Sequence, residues 1–189
     1  MMDPFDALRV LSEHRTDQVV VPTMVALRVW SALSKRPELD LPLVGCMGKA
    51  SSLGLGLALA RPDRQVWVID GDGSLLMNLG TLVTIGNLAP PNLIHFVYNN
   101  SVYETTGGQP VPGAGRVDFV GLARAAGYTA AFRFDDIETL SHRLREVISL
   151  PGPTLVDLHV GQATKLGPLP PARRTAEALR TVKAALAGG

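Results

Sequence analysis

The fold of this chain is best predicted from residues 66–102, whose sequence is VWVIDGDGSLLMNLGTLVTIGNLAPPNLIHFVYNNSV. It begins with an apolar run, Val66–Ile69, that reads as a buried strand, and the sequence GDGS follows it at 71–74. A helical run comes next, and a second apolar strand ends at Asn99-Asn100. A glycine-rich turn between a strand and a helix presents backbone N–H groups to an anion. The stretch therefore predicts a strand–helix–strand unit with an anion-binding turn.

The side chains of this stretch suit a diphosphate that is held through Mg²⁺. Asp72 supplies a carboxylate and Asn100 an amide oxygen, which suit a Mg²⁺ ion that keeps phosphate and water ligands. Gly71 and Gly73 permit the close approach of a diphosphate. Ser74 offers its hydroxyl and its N–H at the start of the following helix, where the dipole favours an anion. GDGS alone also fits an ordinary turn, but the later pair of asparagines favours the magnesium-diphosphate site.

Strand-like and helical segments alternate along the rest of the chain. This alternation predicts an α/β fold, a doubly wound and mostly parallel sheet with helices on both faces. Ligands of such sheets bind at the carboxyl ends of strands, where both halves of the central motif fall. Beyond the central stretch, the predicted strands are Gln18–Val21, Tyr128–Phe134 and Thr154–Val160, and the predicted helices are Asp3–His14, Met24–Leu33, Ala50–Ala60, Val117–Ala126 and one from Asp135 to Ile148.

Several further features refine this outline. Leu43-Val44 is interpreted as a very short strand, and Asp135 with Glu138 as a capping box. Residues 1–165 are predicted to form the diphosphate-binding and Mg²⁺-binding domain, and residues 166–189 a C-terminal extension. Within these two parts, Gly161–Arg173 is expected to be extended because it is rich in proline, and Thr175–Leu186 is expected to form a helix that packs outside the sheet or on a partner.

Composition excludes several classes of function. The formal net charge of +1 gives no electrostatic footprint for nucleic acid or for an anionic membrane. No apolar run reaches the roughly 18 residues that span a bilayer. The single cysteine, Cys46, fits a reducing cytoplasm, and we interpret it as a small buried residue rather than a nucleophile. A soluble cytoplasmic protein that binds a small molecule is expected.

GDG, followed after one strand–helix–strand unit by NN, resembles the signature of thiamine-diphosphate-dependent enzymes in the domain that binds the diphosphate. The turn at 45–48, GCMG, is similar to the family's turn of glycine, small residue, bulky apolar residue and glycine. MGKASSLGLGLALA at 47–60 and NNSVYETTGGQP at 99–110 most resemble sulfopyruvate and phosphonopyruvate decarboxylases. The resemblance covers about Gln18 to Val160, and it implies thiamine diphosphate and Mg²⁺ as cofactors.

By position, the resemblance implies a ligand set for the cation. Asp72 and Asn100 would bind Mg²⁺ through their side chains, and Val102 through its backbone carbonyl. Gly73 and Ser74 would contact the diphosphate.

The resemblance also implies residues that orient the cofactor. Met47 would be the bulky side chain that keeps the cofactor bent, and the Gly45 carbonyl would accept a hydrogen bond from its 4′-amino group. Both are therefore candidate catalytic residues. Tyr103 is a further cofactor-binding candidate and Glu104 a further catalytic candidate, in a loop at 103–109 that resembles the relatives' substrate loop.

The chain departs from the family pattern at two places. The family's glycine-containing turn after the first strand reads PTMVA at 22–26 here, so no residue is carried over there. Lys49 stands where the nearest relatives often have histidine. It is a hypothetical anchor for a sulfonate or phosphonate, and a solvent-facing lysine at a helix start remains an equal alternative.

The resemblance implies decarboxylation of a small anionic 2-oxo acid of the sulfopyruvate or phosphonopyruvate type. Family members take their activating glutamate from a pyrimidine-binding domain, for which these 189 residues leave no room. We therefore expect an alpha-type partner subunit to supply it, and the chain alone to be inactive. An acetolactate-synthase-like carboligase subunit and a non-catalytic regulatory subunit remain alternatives. A 2-oxo acid oxidoreductase is disfavoured because no CxxC cluster is present, and a nicotinamide-binding domain because GxGxxG is missing after the first strand.

Overall fold

A computed structural model describes residues 1–163 and 173–187 of the chain. Its centre is a parallel sheet of five strands, and a two-stranded antiparallel ribbon lies beyond it. The strands are β1 (Val19–Pro22), β2 (Val66–Gly71), β3 (Leu93–Asn99), β4 (Val102–Tyr103), β5 (Gln109–Pro110), β6 (Ala130–Phe134) and β7 (Thr154–His159). The five-stranded sheet has the order β1-β2-β3-β7-β6, and β4 pairs with β5.

Helices cover both faces of the sheet, so the predicted doubly wound α/β fold is confirmed. The helices are α1 (Pro4–His14), α2 (Met24–Leu33), α3 (Ala50–Ala60), α4 (Asp72–Leu76), α5 (Thr81–Leu88), α6 (Phe119–Ala125), α7 (Ile137–Ser149) and α8 (Thr175–Ala187). One core joins α1, α2 and α7 to the sheet around Trp30, Trp67 and Phe96. The other joins α3, α5, α6 and α8 to the opposite face around Leu55 and Val68.

Burial explains why the strands lack alternation. Every residue of β1 and β3 is buried, as expected for strands covered on both faces. On one side the packing is close enough to require a glycine. A Cβ atom on Gly54 of α3 would lie 2.1 Å from Cγ2 of Val68 on β2. Gly54 therefore lets α3 approach the sheet.

The helical region after GDGS differs from the single run that the sequence predicts. It consists of two helices, α4 and α5, because the chain breaks between Leu76 and Thr81. In that break Asn78 donates a hydrogen bond through Nδ2 to the backbone oxygen of Gly48 at 2.9 Å. The break is thus held against the turn at 45–48.

Two smaller predictions are wrong. Leu43-Val44 forms no strand, because only one bridge, from Leu43 to Thr23, is made. The cap of α7 is Asp136 and not Asp135, since the Asp136 carboxylate accepts a hydrogen bond from the Thr139 N–H at 2.8 Å.

The predicted C-terminal helix is present and packs outside the sheet on the chain itself. Ala178 and Val182 of α8 are buried in the second core. Thr175 and Arg61 fix the two ends of α8: the Thr175 hydroxyl donates to the Pro42 carbonyl, and the Arg61 guanidinium donates to the Leu186 carbonyl. Most of the predicted extended segment, Gly161–Arg173, and the boundary between 165 and 166 lie outside the described residues, so both stay predictions. None of the helices in the described ranges is long and apolar enough to cross a membrane.

Candidate functional site

A cleft lies at the carboxyl ends of β2 and β3. All predicted site residues except Gly45 line it, which shows that the fold brings them together. Those that line it are Met47, Gly71, Asp72, Gly73, Ser74, Asn100, Val102, Tyr103 and Glu104.

Asp72 is the first residue of α4, and its carboxyl group is buried beside the cleft with 2% of the residue exposed. Oδ2 accepts a hydrogen bond from the Ser101 N–H at 2.8 Å. Burial raises the pKa of Asp72 to about 6, although hydrogen bonds from the Gly73 and Ser101 backbone oppose this shift. The charge of Asp157 raises the pKa further. Among the described residues, the donors to this carboxylate are neutral backbone groups. Such a carboxylate fits a site for a cation, which would offset the cost of burial.

Asn100 follows β3, and both ends of its side-chain amide are engaged. Oδ1 accepts from the Val102 N–H at 3.1 Å, and Nδ2 donates to Oε2 of Glu104 at 2.7 Å. Ser101, between Asn100 and Val102, adopts a left-handed conformation, with φ of 63°. This turn connects Asn100 to Asp72 through the Ser101 N–H.

The donor set suits a cation that brings ligands of its own. In the described ranges, no group of three or more His, Cys, Asp or Glu side chains is arranged for a metal ion. Asp72 and Asn100 offer one carboxylate and one amide oxygen, and oxygen atoms can accept a second contact. This chemistry fits Mg²⁺, which retains water and phosphate ligands.

Ser74 connects the GDGS turn to the turn at 45–48. Its hydroxyl accepts a hydrogen bond from the Gly48 N–H at 2.9 Å, and the residue is 1% exposed. A hydroxyl that accepts can still donate its own hydrogen. Ser74 can therefore hold Gly48 and donate to an anion in the cleft.

The two glycines of GDGS differ in what surrounds them. A Cβ atom on Gly73 would lie 2.5 Å from Cε1 of Tyr103 and 2.9 Å from Cγ1 of Val111, so the close approach there is made by the protein itself. A Cβ atom on Gly71 would have Cβ of Ser74 at 3.8 Å as its nearest neighbour. Packing of the Tyr103 ring explains why position 73 needs a glycine, and the expectation that both glycines admit a diphosphate stays a prediction.

The turn at 45–48 presents Met47 to the cleft. Gly45 and Gly48 adopt left-handed conformations, with φ of 72° and 71°. Met47 is half-buried and lines the cleft, whereas Gly45 lines an adjoining cavity. Cys46 lies at the tip of this turn and is exposed, so its interpretation as a buried residue is wrong.

Sequence reasoning missed the part of the cleft that comes from the start of α2. Met24, Val25 and Ala26 line the cleft, and Met24 has φ of 53°. The available signal was the position of this turn after the first strand, but the missing glycine hid it. Methionine adopts here the left-handed conformation that glycine adopts readily.

Lys49, the hypothetical anion anchor, is exposed at the residue before α3 and is not among the residues that line the cleft.

Comparisons with known proteins identify the family of this chain. The family model described as "Thiamine pyrophosphate enzyme, C-terminal TPP binding domain" matches residues 21–158. Phosphonopyruvate decarboxylase of Streptomyces viridochromogenes is 42% identical over 153 residues, which cover 80% of this chain and 38% of that protein. Sulfopyruvate decarboxylase subunit beta of Methanothermobacter thermautotrophicus is 40% identical over 118 residues, which cover 62% of this chain and 60% of that protein. The chain thus spans less than two thirds of the length of these relatives.

A solved structure from Mycobacterium smegmatis, described as a thiamin diphosphate-dependent enzyme, has the same fold. It superposes with a TM-score of 0.72 over 85% of this chain and 32% of its own, at 20% sequence identity. At this identity the likeness concerns the fold alone.

Proposed function

The chain belongs to the thiamine pyrophosphate enzymes and carries their C-terminal cofactor-binding domain, and on this basis we propose that it is the diphosphate-binding subunit of a 2-oxo acid decarboxylase. The observation that carries the proposal is the meeting of Asp72, Asn100 and Ser74 in one cleft beside Met47. An acid, an amide and a helix start at the ends of adjacent parallel strands can together hold a magnesium diphosphate.

Each residue has a stated part in this proposal. Asp72, Asn100 and the Val102 carbonyl hold Mg²⁺, and Ser74 donates to the diphosphate. Met47 packs against the cofactor, whose amino group the Gly45 carbonyl orients. The bound cofactor supplies an electron sink for the bond that breaks when CO₂ leaves.

We propose an anionic 2-oxo acid as the substrate and a second, alpha-type subunit as the partner. Two relatives support this by name, a phosphonopyruvate decarboxylase and a sulfopyruvate decarboxylase subunit beta. The acids among the described residues that line the cleft are Asp72 and Glu104, and Glu104 is bonded to Asn100. As the resemblance to the family implies, we assign the activating glutamate to a pyrimidine-binding partner, without which the chain is inactive. A reducing cytoplasm fits the single cysteine.

A non-catalytic regulatory role gains no support from the turn at the start of α2. The absence of the family's glycine at 22–26 would favour such a role if the turn required a glycine. Met24 keeps a left-handed backbone at this position, so the local conformation does not depend on glycine.

Calorimetric titration of thiamine diphosphate tests the site. We expect binding to the wild-type chain to require Mg²⁺ and to be lost in Asp72→Ala. Asp63→Ala is the matched control, because Asp63 precedes β2 at the opposite end of the strand and has an exposed side chain. Binding that is independent of Mg²⁺, or equal loss in both variants, would contradict the assignment.

A further inference from the structure

A second cavity adjoins the cleft on the side of α2. It shares Met24 and Thr105 with the cleft. Its remaining lining is Leu27, Arg28, Leu43, Val44 and Gly45. Because two residues border both spaces, a molecule in the cleft could extend into this cavity.

Arg28 gives this cavity its charge. It is the charged side chain among the described residues that line the cavity, where most of its neighbours are apolar. Arg28 is exposed, and across residues 1–163 and 173–187 it makes no hydrogen bond or ion pair. Its guanidinium is therefore available to a ligand, unlike that of Arg15, which pairs with Asp40 at 2.9 Å.

The placement of Arg28 relates it to the reacting end of the proposed cofactor. Arg28 lies four residues after Met24 on α2, so both are on one face of the helix. Gly45, which we assign to the cofactor's amino group, lines the same cavity. A substrate that reacts beside Gly45 would have its far end within this cavity.

We propose that Arg28 binds the phosphonate or sulfonate group of the substrate and thereby selects anionic 2-oxo acids. A guanidinium forms paired hydrogen bonds with a tetrahedral oxyanion, and apolar walls strengthen that attraction. The inference rests on the proposed function and adds the residue that recognises the acidic group. It assigns to Arg28 the role that the sequence suggested for Lys49, which lines neither the cleft nor this cavity.

Binding of an unreactive analogue tests this assignment. The full chain, with thiamine diphosphate, Mg²⁺ and any polypeptide that copurifies with it, is titrated with 3-phosphonopropionate and with butyrate. We expect Arg28→Met to weaken binding of the phosphonate by about 10-fold or more. Lys49→Met serves as the matched control and should stay within about twofold of the wild type. Butyrate should bind all three proteins alike, because it has the carboxylate of the analogue but lacks its phosphonate group.

Titration with thiamine diphosphate on the same samples separates the two proposals. If cofactor binding is normal and Arg28→Met keeps its affinity for the phosphonate, the assignment of Arg28 is wrong while the proposed function stands. The assignment is also wrong if Lys49→Met weakens phosphonate binding more than Arg28→Met does, or if the wild type binds no phosphonate. It is wrong, too, if the only effect of Arg28→Met is loss of the copurifying polypeptide. If the wild-type chain binds no cofactor, the proposed function fails and the assignment fails with it.

Discussion

Asn100 donates a hydrogen bond to the Glu104 carboxylate at 2.7 Å, and this contact determines which way the asparagine amide points. The carboxylate takes the amide nitrogen, so Oδ1 is directed to the Val102 N–H and keeps a second lone pair for a cation. Glu104, expected from the sequence to be a catalytic candidate, is thus placed to act on a proposed Mg²⁺ ligand.

We expect Glu104→Ala to lower the affinity for Mg²⁺ by roughly 10-fold, since residues that orient metal ligands have effects of this size. Glu104→Gln should bind Mg²⁺ nearly as well as the wild type, because the Gln oxygen can accept the same hydrogen bond. Calorimetric titration of Mg²⁺ in the presence of thiamine diphosphate measures both. Equal losses in the two variants would show that the charge of Glu104 matters and not the orientation of the amide.

The sequence predicts what depends on burial and on strand ends. Continuous apolar runs identify β1 and β3, and the position of Asp72 and Asn100 at strand ends brings them to one cleft. It does not predict what depends on side-chain neighbours. Tyr103 fills the space beside Gly73, and Met24 adopts a backbone that its residue type disfavours. Both depend on contacts between segments far apart in the chain, which no local pattern records.

The metal-free chain should lose stability as pH rises, because of Asp72. Its pKa is raised from 3.8 to about 6 by burial, so between these values the folded chain holds a proton that the unfolded chain has released. The contribution of Asp72 to the free energy of unfolding is therefore highest below pH 4 and falls until about pH 6, by an amount on the order of 2–3 kcal/mol. Asp72→Asn has no charge to bury. The free energy of unfolding of this variant, minus that of the wild type, should therefore be larger at pH 7 than at pH 4.5.

Urea unfolding in the presence of a chelator, at these two pH values, measures this difference. Asp63→Asn is the control, because the Arg61 side chain lowers the pKa of Asp63 to about 2 and both states are ionised across the interval. A difference of the same size in both variants would contradict burial as the cause.

Gly54 and Gly56 offer a matched pair of substitutions within α3. Alanine at 54 would place its Cβ 2.1 Å from Cγ2 of Val68, so we expect Gly54→Ala to cost roughly 1–3 kcal/mol through overpacking. No atom of the described residues lies within 4 Å of a Cβ at 56, so Gly56→Ala should stabilise the chain by about 0.5–1 kcal/mol through helix propensity. Thermal and urea unfolding measure both. A stable Gly54→Ala variant would mean that α3 can move away from β2 at little cost.

Thr175 should control how firmly α8 docks, because its hydroxyl makes two hydrogen bonds to the segment before the turn at 45–48. It donates to the Pro42 carbonyl at 2.9 Å and accepts from the Val44 N–H at 3.1 Å. Thr175→Val keeps the shape and removes both bonds, at a cost of roughly 1–2 kcal/mol. Hydrogen exchange of the α8 amides should therefore accelerate by about 10-fold. The matched control is Thr181→Val, because the Thr181 hydroxyl donates within α8, to the Glu177 carbonyl at 3.2 Å. If both variants accelerate exchange equally, α8 is held by burial of Ala178 and Val182 and not by its first residue.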